Sequence, residues 1–347
     1  MRKADITADL VEGLVAAQFP EWSILPAKPV EVDGWDNTTF RLGSSMLVRL
    51  PSADAYIAQV DKEQGWLPVL APQLPLPIPV PLGRGEPTAV FPRPWSVYRW
   101  IEGDLLTVDR VSDTKQLASD LAGFLTALYS CAPEGPPPGA HSCSRGGPVA
   151  TWDEQVRENL DIVGDLIDTS AAREVWDAAI GAPHEAPPVW VHGDVTGSNL
   201  LVRNGRLAAV LDFGCCAFGD PACDLTIAWT FLTNDSRKLF QERVPVEPSA
   251  WPRGRGWALW KALNHLAADH AKPGQGRRRD NRVGWRIGAS DVIAEVVDDH
   301  REFEPANPMG VPRRHTVSAV GLKISTTEQQ ISRQGTSLPT ATSSNTG

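Results

Sequence analysis

The stretch WVHGDVTGSNLLVRNGRLAAVLDFGCCAFGDPACDL, residues 190–225, constrains the fold more than any other part of the chain. A β-branched and aromatic run at 189–191 predicts a buried strand that ends in the His-Gly-Asp sequence 192–194. Two apolar runs follow, 200–203 and 207–211, with an Asn-Gly dipeptide between them. That dipeptide is the strongest short-range signal for a two-residue hairpin turn. A β-hairpin directly after a polar loop is therefore predicted.

The hairpin brings three oxygen-bearing side chains to one end of a small sheet. Asn199 stands five residues after Asp194, and Asp212 opens an Asp-Phe-Gly turn where the second strand ends. An amide oxygen and one carboxylate suit Mg²⁺, which also binds nucleotide phosphates and keeps several waters. A further carboxylate can orient and deprotonate an attacking hydroxyl. Protein kinases use the same spacing. The stretch therefore predicts phosphoryl transfer from a magnesium nucleotide, whereas the simpler alternative is a hairpin with turn and capping acids.

Neighbouring polar residues have structural interpretations. His192 follows a buried strand, and we expect it to hold the loop by hydrogen bonds. Asp220 and Asp224 stand just before and at the start of a predicted helix, where carboxylates cap exposed N–H groups. We therefore expect capping and loop support from both acids. The adjacent cysteines Cys215 and Cys216 are expected to pack.

The first hundred residues predict strands with packed helices. Apolar spacing predicts an amphipathic helix over 6–18 and a second helix over 61–70. Between them, Gly and Asn breaks separate short extended runs that predict an antiparallel meander. The extended runs are 29–32, 38–42, 47–50 and, after a proline-rich connector at 74–81, the strand 95–101.

Beyond residue 102 the chain is predicted to be mainly helical. Helical periodicity recurs in segments separated by Pro- and Gly-rich loops. These segments are 114–130, 152–167, 170–180, 222–232, 236–242, 252–268 and 289–303. Tryptophans 229, 251, 257 and 260 fall at helical spacing, which is more typical of a core than of a binding site. From residue 304 the composition turns to Pro, Ser, Thr and Gln and predicts disorder.

Net charge and cysteine content limit the classes of binding partner and the cellular location that we expect. A formal net charge of -9 argues against a nucleic-acid partner. No apolar run approaches the roughly 18 residues of a membrane span, so no membrane partner is expected. The N-terminus MRKADITADL has no signal-peptide core, and the five cysteines form no CxxC pair. We expect a cytoplasmic, reduced protein.

The motifs HGDVTGSNLL, VLDFG and GDPACDL together resemble the aminoglycoside phosphotransferase family, bilobed small-molecule kinases related to protein kinases. The N-terminal segments GWDNTTFRLG, LVRLP, KEQGWLPVL and WSVYRWIEG are similar to one bacterial branch of that family, and the resemblance covers about residues 6–300. It implies an α+β, protein-kinase-like fold. An N-terminal antiparallel sheet lobe over 1–102 would end in a hinge, a larger helical lobe would span 103–303, and a disordered tail would occupy 304–347.

The resemblance also implies roles for individual residues. Asp194 would be the catalytic base, and Asn199 and Asp212 the magnesium ligands. Arg49, in the third strand, stands where the superfamily usually has a lysine that holds the α- and β-phosphates, and Glu63 resembles its acidic partner. Arg keeps the charge but has a different, forked shape.

Two further family features are implied by position. No GxGxxG sequence is present, so the loop Gly34-Trp35-Asp36-Asn37-Thr38 would have to cover the phosphates. The segment ending in Trp100 and Ile101 resembles the hinge, where backbone groups of these two residues would meet the adenine ring.

The predicted activity is transfer of the ATP (or GTP) γ-phosphate, with Mg²⁺, to a hydroxyl of a small molecule. An aminoglycoside or related antibiotic is the family's best-known acceptor, but choline, homoserine and sugar amines are acceptors of related enzymes. Two alternatives stay open at this point. One is a nucleotide-binding protein without kinase activity, and the other is a metallohydrolase with His192, Asp194 and Asp212 around one metal.

Overall fold

The structure, a computed structural model, describes residues 2–34, 36–131, 134–271 and 284–303, and its N-terminal part is a five-stranded antiparallel sheet. The strands lie in the order β1-β2-β3-β5-β4. Their bounds are β1 Ala27–Pro29, β2 Asn37–Leu42, β3 Met46–Pro51, β4 Pro81–Gly85 and β5 Trp95–Arg99. Helix α1 (Ala8–Gln18) packs on one face of this sheet and α2 (Ile57–Leu70) contacts β4 and β5.

Alternation along β3 divides its side chains between the two faces of the sheet. Val48 and Leu50 are fully buried in an apolar cluster that also contains Val11 and Leu14 of α1. Arg49, between them in sequence, projects from the opposite face and reaches α2. The period of two therefore places the core on one side of the strand and a cation on the other.

The C-terminal part is mainly helical, and its core also includes Leu67 and Leu70 of α2 and Tyr98 of β5. Its helices are α3 Thr114–Tyr129, α4 Asp153–Val163, α5 Thr169–Gly181, α6 Ile227–Thr230, α7 Asn234–Arg243, α8 Ala250–Ala271 and α9 Ala289–Phe303. Helix α8 is central, because it contacts α4, α5 and α9. Trp229 and Trp257 are fully buried and Trp260 is nearly so. Trp251 packs against the same cluster. The expectation that these tryptophans belong to the core is confirmed.

Two small sheets carry the polar loop and the predicted hairpin. Strand β7 (Val189–Val191) pairs with β10 (Ala217–Gly219), and the hairpin strands β8 (Leu200–Arg203) and β9 (Arg206–Val210) extend to β6 (Asp104–Leu105). The two residues of the Asn-Gly turn have φ angles of 53° and 76°. Positive φ at both central positions is what a tight hairpin turn requires, so the predicted hairpin is confirmed.

Three predicted elements differ from the structure. Strand β1 spans Ala27–Pro29, so it overlaps the predicted extended run 29–32 only at residue 29. Strand β4 forms in PLGRG, next to the predicted connector 74–81, because pairing with β5 outweighs the poor strand propensity of Pro and Gly. The helix predicted over 222–232 is a 3₁₀ segment, Pro221–Thr226, followed by the short α6. Apolar spacing does not separate these two helix types over so few residues.

The predicted α+β fold, a sheet lobe followed by a larger helical lobe, is confirmed. The described residues all belong to one compact unit, so the predicted boundary at 102 falls inside it and stays a prediction. The tail 304–347, predicted to be disordered, lies outside the described residues. None of the described helices combines the length and the apolar character that a membrane crossing needs.

Gly205→Ala should destabilise the protein, because a side chain at φ 76° is strained and its Cβ would lie 2.7 Å from the Ser112 hydroxyl. We expect a loss of about 1–2 kcal/mol in the free energy of unfolding. Gly123→Ala is the matched control, since nothing lies within 4 Å of a Cβ at that exposed α3 position. It should add about 0.5–1 kcal/mol. Urea unfolding of both variants measures the difference, and equal effects would contradict the turn assignment.

Candidate active site

A cleft of about 1890 Å³ is lined by β1–β3 on one side and by the polar loop after β7 on the other. Most of the residues predicted from sequence line this one cleft. They are Arg49, Trp100, Ile101, Asp194, Asn199 and Asp212. Glu63 lies behind Arg49, and the two side chains are in contact.

The loop after β7 is turned by backbone hydrogen bonds to one buried acid. Both oxygens of Asp224 are used, because the N–H groups of His192 and Gly193 donate to them at 3.0 and 2.7 Å. Gly193 has φ 81°, and a Cβ there would lie 2.3 Å from the carbonyl oxygen of Cys215. Burial raises the pKa of Asp224 above its usual range. The expected loop support by Asp224 is therefore present.

The ring of His192 is held on both sides. Its Nε2 is 2.8 Å from the carbonyl oxygen of Leu211, and its Nδ1 accepts a hydrogen bond from the N–H of Asp194 at 3.2 Å. The ring also packs edge-on against Phe213. Since both ring nitrogens are engaged by backbone, His192 is not free to bind a metal. The part of the chain that the structure describes also has no group of three His, Cys, Asp or Glu residues suited to a metal. The engagement of both His192 ring nitrogens argues against the metallohydrolase alternative.

Asp220 caps the 3₁₀ segment that follows it, as expected. Its side chain accepts a hydrogen bond from the N–H of Ala222 at 3.0 Å. The same carboxylate also pairs with the buried guanidinium of Arg253, with Nε–Oδ2 at 2.7 Å. Asp220 therefore ties this segment to α8 and has no place in the cleft.

Asp194 holds one partner on each of its carboxylate oxygens. Oδ1 accepts a hydrogen bond from the ammonium group of Lys261, and Oδ2 accepts one from Nδ2 of Asn199 at 3.1 Å. Burial alone would raise the pKa of Asp194, but the positive charges of Lys261 and Arg145 outweigh it and lower the pKa to about 2. With this lowered pKa the carboxylate is ionised near neutral pH.

Asn199 and Asp212 offer oxygens that suit a hard cation. The Asn199 amide nitrogen also donates to the backbone oxygen of Asp194 at 2.9 Å, so its carbonyl oxygen points away from that residue. Asp212 uses Oδ1 for Arg49 at 2.8 Å, and its side chain is 36% exposed. Among the described residues Oδ2 of Asp212 makes no hydrogen bond. One amide oxygen and one carboxylate oxygen, both on the cleft, fit the donor preference of Mg²⁺.

Arg49 joins the sheet to the Asp-Phe-Gly turn. Nη1 is 3.3 Å from Glu63 Oε1, and Nη2 is 2.8 Å from Asp212 Oδ1. Tyr98 donates to the other oxygen of Glu63. Burial would lower the pKa of Arg49, but the carboxylates of Asp212 and Glu63 raise it further above its already high value. The forked guanidinium contacts two acids at once, which one lysine ammonium does with less defined geometry.

The hinge segment offers fewer backbone groups than its sequence suggests. The N–H of Trp100 donates to the carbonyl oxygen of Ser45 at 2.8 Å. The Trp100 ring lies 4.3 Å from the guanidinium of Arg41. A base in the cleft could therefore use the carbonyl of Trp100 or the backbone of Ile101, but not the N–H of Trp100.

Three cations near the site were not predicted from the sequence. Lys261 comes from α8 and Arg145 from a Gly-rich loop. Lys62 is buried and donates to the carbonyl oxygens of His141, Gly214 and Cys216 at 2.9, 2.8 and 2.8 Å. Lys62 directly precedes Glu63, and this position next to a predicted site residue is the one sequence feature that could have indicated it. Lys261 and Arg145 belong to no motif.

Asp224→Ala should destabilise the protein by roughly 2–4 kcal/mol, because it leaves two buried N–H groups without an acceptor. Asp224→Asn keeps one acceptor oxygen and should lose less than half of that. Chemical denaturation measures both variants. Equal stability of the wild type and the Ala variant would show that the turn does not need the carboxylate.

The chain resembles antibiotic phosphotransferases in fold. The GDP and kanamycin complex of APH(2″)-IIIa has 20% identity and a TM-score of 0.60, with 85% of this chain and 99% of that chain covered. The macrolide 2′-phosphotransferase MphH from Brachybacterium faecium has 20% identity and a TM-score of 0.54, with 82% and 98% covered. The streptomycin–ATP complex of APH(2″)-IIa has 18% identity and a TM-score of 0.53, with 84% and 96% covered.

No curated protein matches the chain significantly. The model of the phosphotransferase enzyme family, in contrast, matches residues 27–258, which is more than half of the chain. That span includes both the Arg49–Glu63 pair and the loop from Asp194 to Asp212. The family and the enzyme class expected from the sequence are thereby confirmed, and the chain belongs to the phosphotransferase enzyme family.

Proposed function

We propose that the protein transfers the γ-phosphate of ATP or GTP, with Mg²⁺, to a hydroxyl group of a small molecule. The observation that carries this proposal is the hydrogen bond from Asn199 Nδ2 to Asp194 Oδ2, 3.1 Å long. It holds Asp194 and Asn199 together on the lining of the same cleft, which also includes Asp212. A hydroxyl acceptor, a metal and a phosphate chain need this combination of groups.

Mg²⁺ would be held by Asn199 and Asp212, and when bound it would offset the charge of the phosphates. Arg49 would bind the phosphate chain, and Glu63 would fix the position of the Arg49 guanidinium. The backbone of Ile101 and the carbonyl of Trp100 would meet the base. The GDP and ATP complexes of the structural neighbours are consistent with either nucleotide.

Asp194 would orient the acceptor hydroxyl and accept its proton. With a pKa of about 2 the carboxylate is a weak base. Phosphoryl transfer through a loose transition state needs little proton abstraction before the new bond forms. The hydroxyl therefore becomes acidic late in the reaction, and a weak, fully ionised base in a fixed position is adequate.

The acceptor is proposed to be an antibiotic or another hydroxyl compound with an apolar face. On the helical side the cleft is lined by Leu266, Trp285 and Ile287, with the acid Asp269 beside them. Kanamycin is bound in one structural neighbour, and another is a macrolide 2′-phosphotransferase. Choline, homoserine or a sugar amine is the alternative acceptor class.

We propose a nucleotide-binding lobe over residues 1–102 and a catalytic and substrate-binding lobe over 103–303, with the cleft between them. The five cysteines are free, which supports a cytoplasmic location. The net charge of -9 supports a small-molecule rather than a nucleic-acid partner.

Asp194→Ala should reduce phosphate transfer at least a thousandfold, because the hydroxyl loses the group that orients it and accepts its proton. Nucleotide affinity should stay within about threefold, since Asp194 is not proposed to bind the nucleotide. The assay is transfer of labelled γ-phosphate from ATP and GTP to a panel containing kanamycin, a macrolide, choline and homoserine. Asp165→Ala, at an exposed position of the helical lobe, is the control.

Two outcomes would contradict the proposal. Full turnover by the Asp194 variant would remove the proposed base. Nucleotide binding without transfer to any member of a broad panel would favour the alternative of a nucleotide-binding protein without kinase activity.

Addition of EDTA to the wild type should stop transfer, because the phosphates then lose the cation.

Arg49→Met should weaken nucleotide binding by about tenfold to a hundredfold, since a charge-assisted hydrogen bond contributes about 1.5–3 kcal/mol. It also leaves the buried Glu63 without its cation, so thermal stability should fall. Arg49→Lys separates the loss of nucleotide affinity from the loss of stability, because it keeps a positive charge beside Glu63 but not the forked guanidinium. Titration of the nucleotide with each variant tests this, and unchanged affinity in both would exclude Arg49 from phosphate binding.

A further inference from the structure

Lys261 reaches the centre of the cleft from a distant part of the chain. It lies on α8, 67 residues after Asp194, and its ammonium group donates to Asp194 Oδ1. The Lys261 side chain is 12% exposed and belongs to the cleft lining. This cation is therefore in direct contact with the proposed base and open to a ligand in the cleft.

The loop that carries Asp194 supplies no cation of its own. From Asp194 to Asn199 the sequence is DVTGSN, without Lys or Arg. Arg49 is engaged on the opposite side with Glu63 and Asp212. Lys261 is thus placed to provide the positive charge beside Asp194 that neither the loop nor Arg49 provides.

A second cation, Arg145, acts on Asp194 from outside the cleft lining. Arg145 is 8% exposed, and its guanidinium lies 5.1 and 4.2 Å from the rings of Trp257 and Trp260. Its Nε and Nη1 atoms have no hydrogen-bond partner among the described residues. The Arg145 charge also acts on Asp194. Of these two cations Lys261 lines the cleft, so it is the one that a further anionic group in the cleft can reach.

We propose that Lys261 is a catalytic residue that binds the γ-phosphoryl group while it is transferred. This inference rests on the function proposed above. A bond forms between the acceptor oxygen and the γ-phosphorus, and the bond from that phosphorus to the bridging oxygen breaks. The bonding electrons stay with the β-phosphate of the leaving nucleoside diphosphate, and the hydroxyl proton passes to Asp194. No proton passes to or from Lys261 in this step.

Reach supports this role. A hydroxyl hydrogen-bonded to Asp194 and poised for attack lies about 3–3.5 Å from the phosphorus. The ammonium group on Asp194 Oδ1 is then about one hydrogen bond from the phosphoryl oxygens, and the four-carbon stem of Lys261 allows it to follow them. Charge stabilisation of this kind commonly changes turnover by about 10²–10³-fold.

A purely structural ion pair would have a different signature. If Lys261 only held Asp194 in place, its loss would not change the affinity for a group that mimics the phosphoryl in transfer. If it bound the acceptor, its loss would raise the acceptor KM and leave kcat unchanged. The phosphoryl role instead predicts a lower kcat and a lower affinity for the transition-state mimic.

The test measures binding of MgADP and MgGDP with and without aluminium fluoride, which mimics the phosphoryl group in transfer and needs no known acceptor. In the wild type, aluminium fluoride should tighten binding of at least one diphosphate by about a hundredfold. Lys261→Met should reduce that gain below about tenfold and leave diphosphate affinity within threefold. Lys261→Arg should keep part of the gain. Lys238→Met, an exposed lysine on α7, is the charge-matched control and should equal the wild type.

A parallel experiment measures the rate at which MgATP and MgGTP release inorganic phosphate to water in a single turnover. This rate should fall about a hundredfold in Lys261→Met and partly recover in Lys261→Arg. The role of Lys261 would be overturned if aluminium fluoride tightened diphosphate binding in Lys261→Met as much as in the wild type. It would also be overturned if the wild type bound diphosphate but aluminium fluoride did not tighten that binding. Loss of diphosphate binding itself in both Lys261 variants would also overturn it. A wild type that binds neither diphosphate would instead overturn the proposed function.

Discussion

The carboxylate of Asp224 fixes the turn on which the other contacts of the cleft depend. It accepts hydrogen bonds from two consecutive backbone N–H groups, those of His192 and Gly193, and this is possible because Gly193 has φ 81°. The turn then directs Asp194 into the cleft, where the amide of Asn199 meets it. The position of the proposed base is therefore set by backbone conformation, with side-chain contacts completing it.

Charge compensation is the second constraint. A nucleotide is a polyanion, and carboxylates that face it without cations would repel it. Asp212 is paired with Arg49 and Asp194 with Lys261, so each of these two acids has a cation within hydrogen-bond distance. Glu63 shares the Arg49 guanidinium and is almost fully buried. In the proposed reaction, this pairing lets Asp212 serve a metal and Asp194 a hydroxyl while the cleft still accepts phosphate.

Sequence reasoning succeeded where local spacing sets geometry. An Asn-Gly turn fixes the hairpin register, and the register brings the segment ending at Asp212 back to the loop of Asp194 and Asn199. Lys261 could not be found this way, because its position depends on how α8 packs in the helical core, and no local pattern reports that. The hydrogen bond of the Trp100 N–H could not be predicted from the sequence for a different reason. Its partner is a backbone carbonyl, and side-chain identities carry no information about such a bond.

The buried Lys62 has a mechanical consequence for α2. Its ammonium binds three carbonyl oxygens, one at His141 and two, at Gly214 and Cys216, beside the Asp-Phe-Gly turn. A rotation of α2 about its axis would break all three bonds at a site with little access to water, where replacement partners are scarce. Glu63, the next residue along the helix, is therefore locked toward Arg49. The cation–carboxylate pair is a permanent part of the scaffold, and no movement of this helix is needed to assemble it.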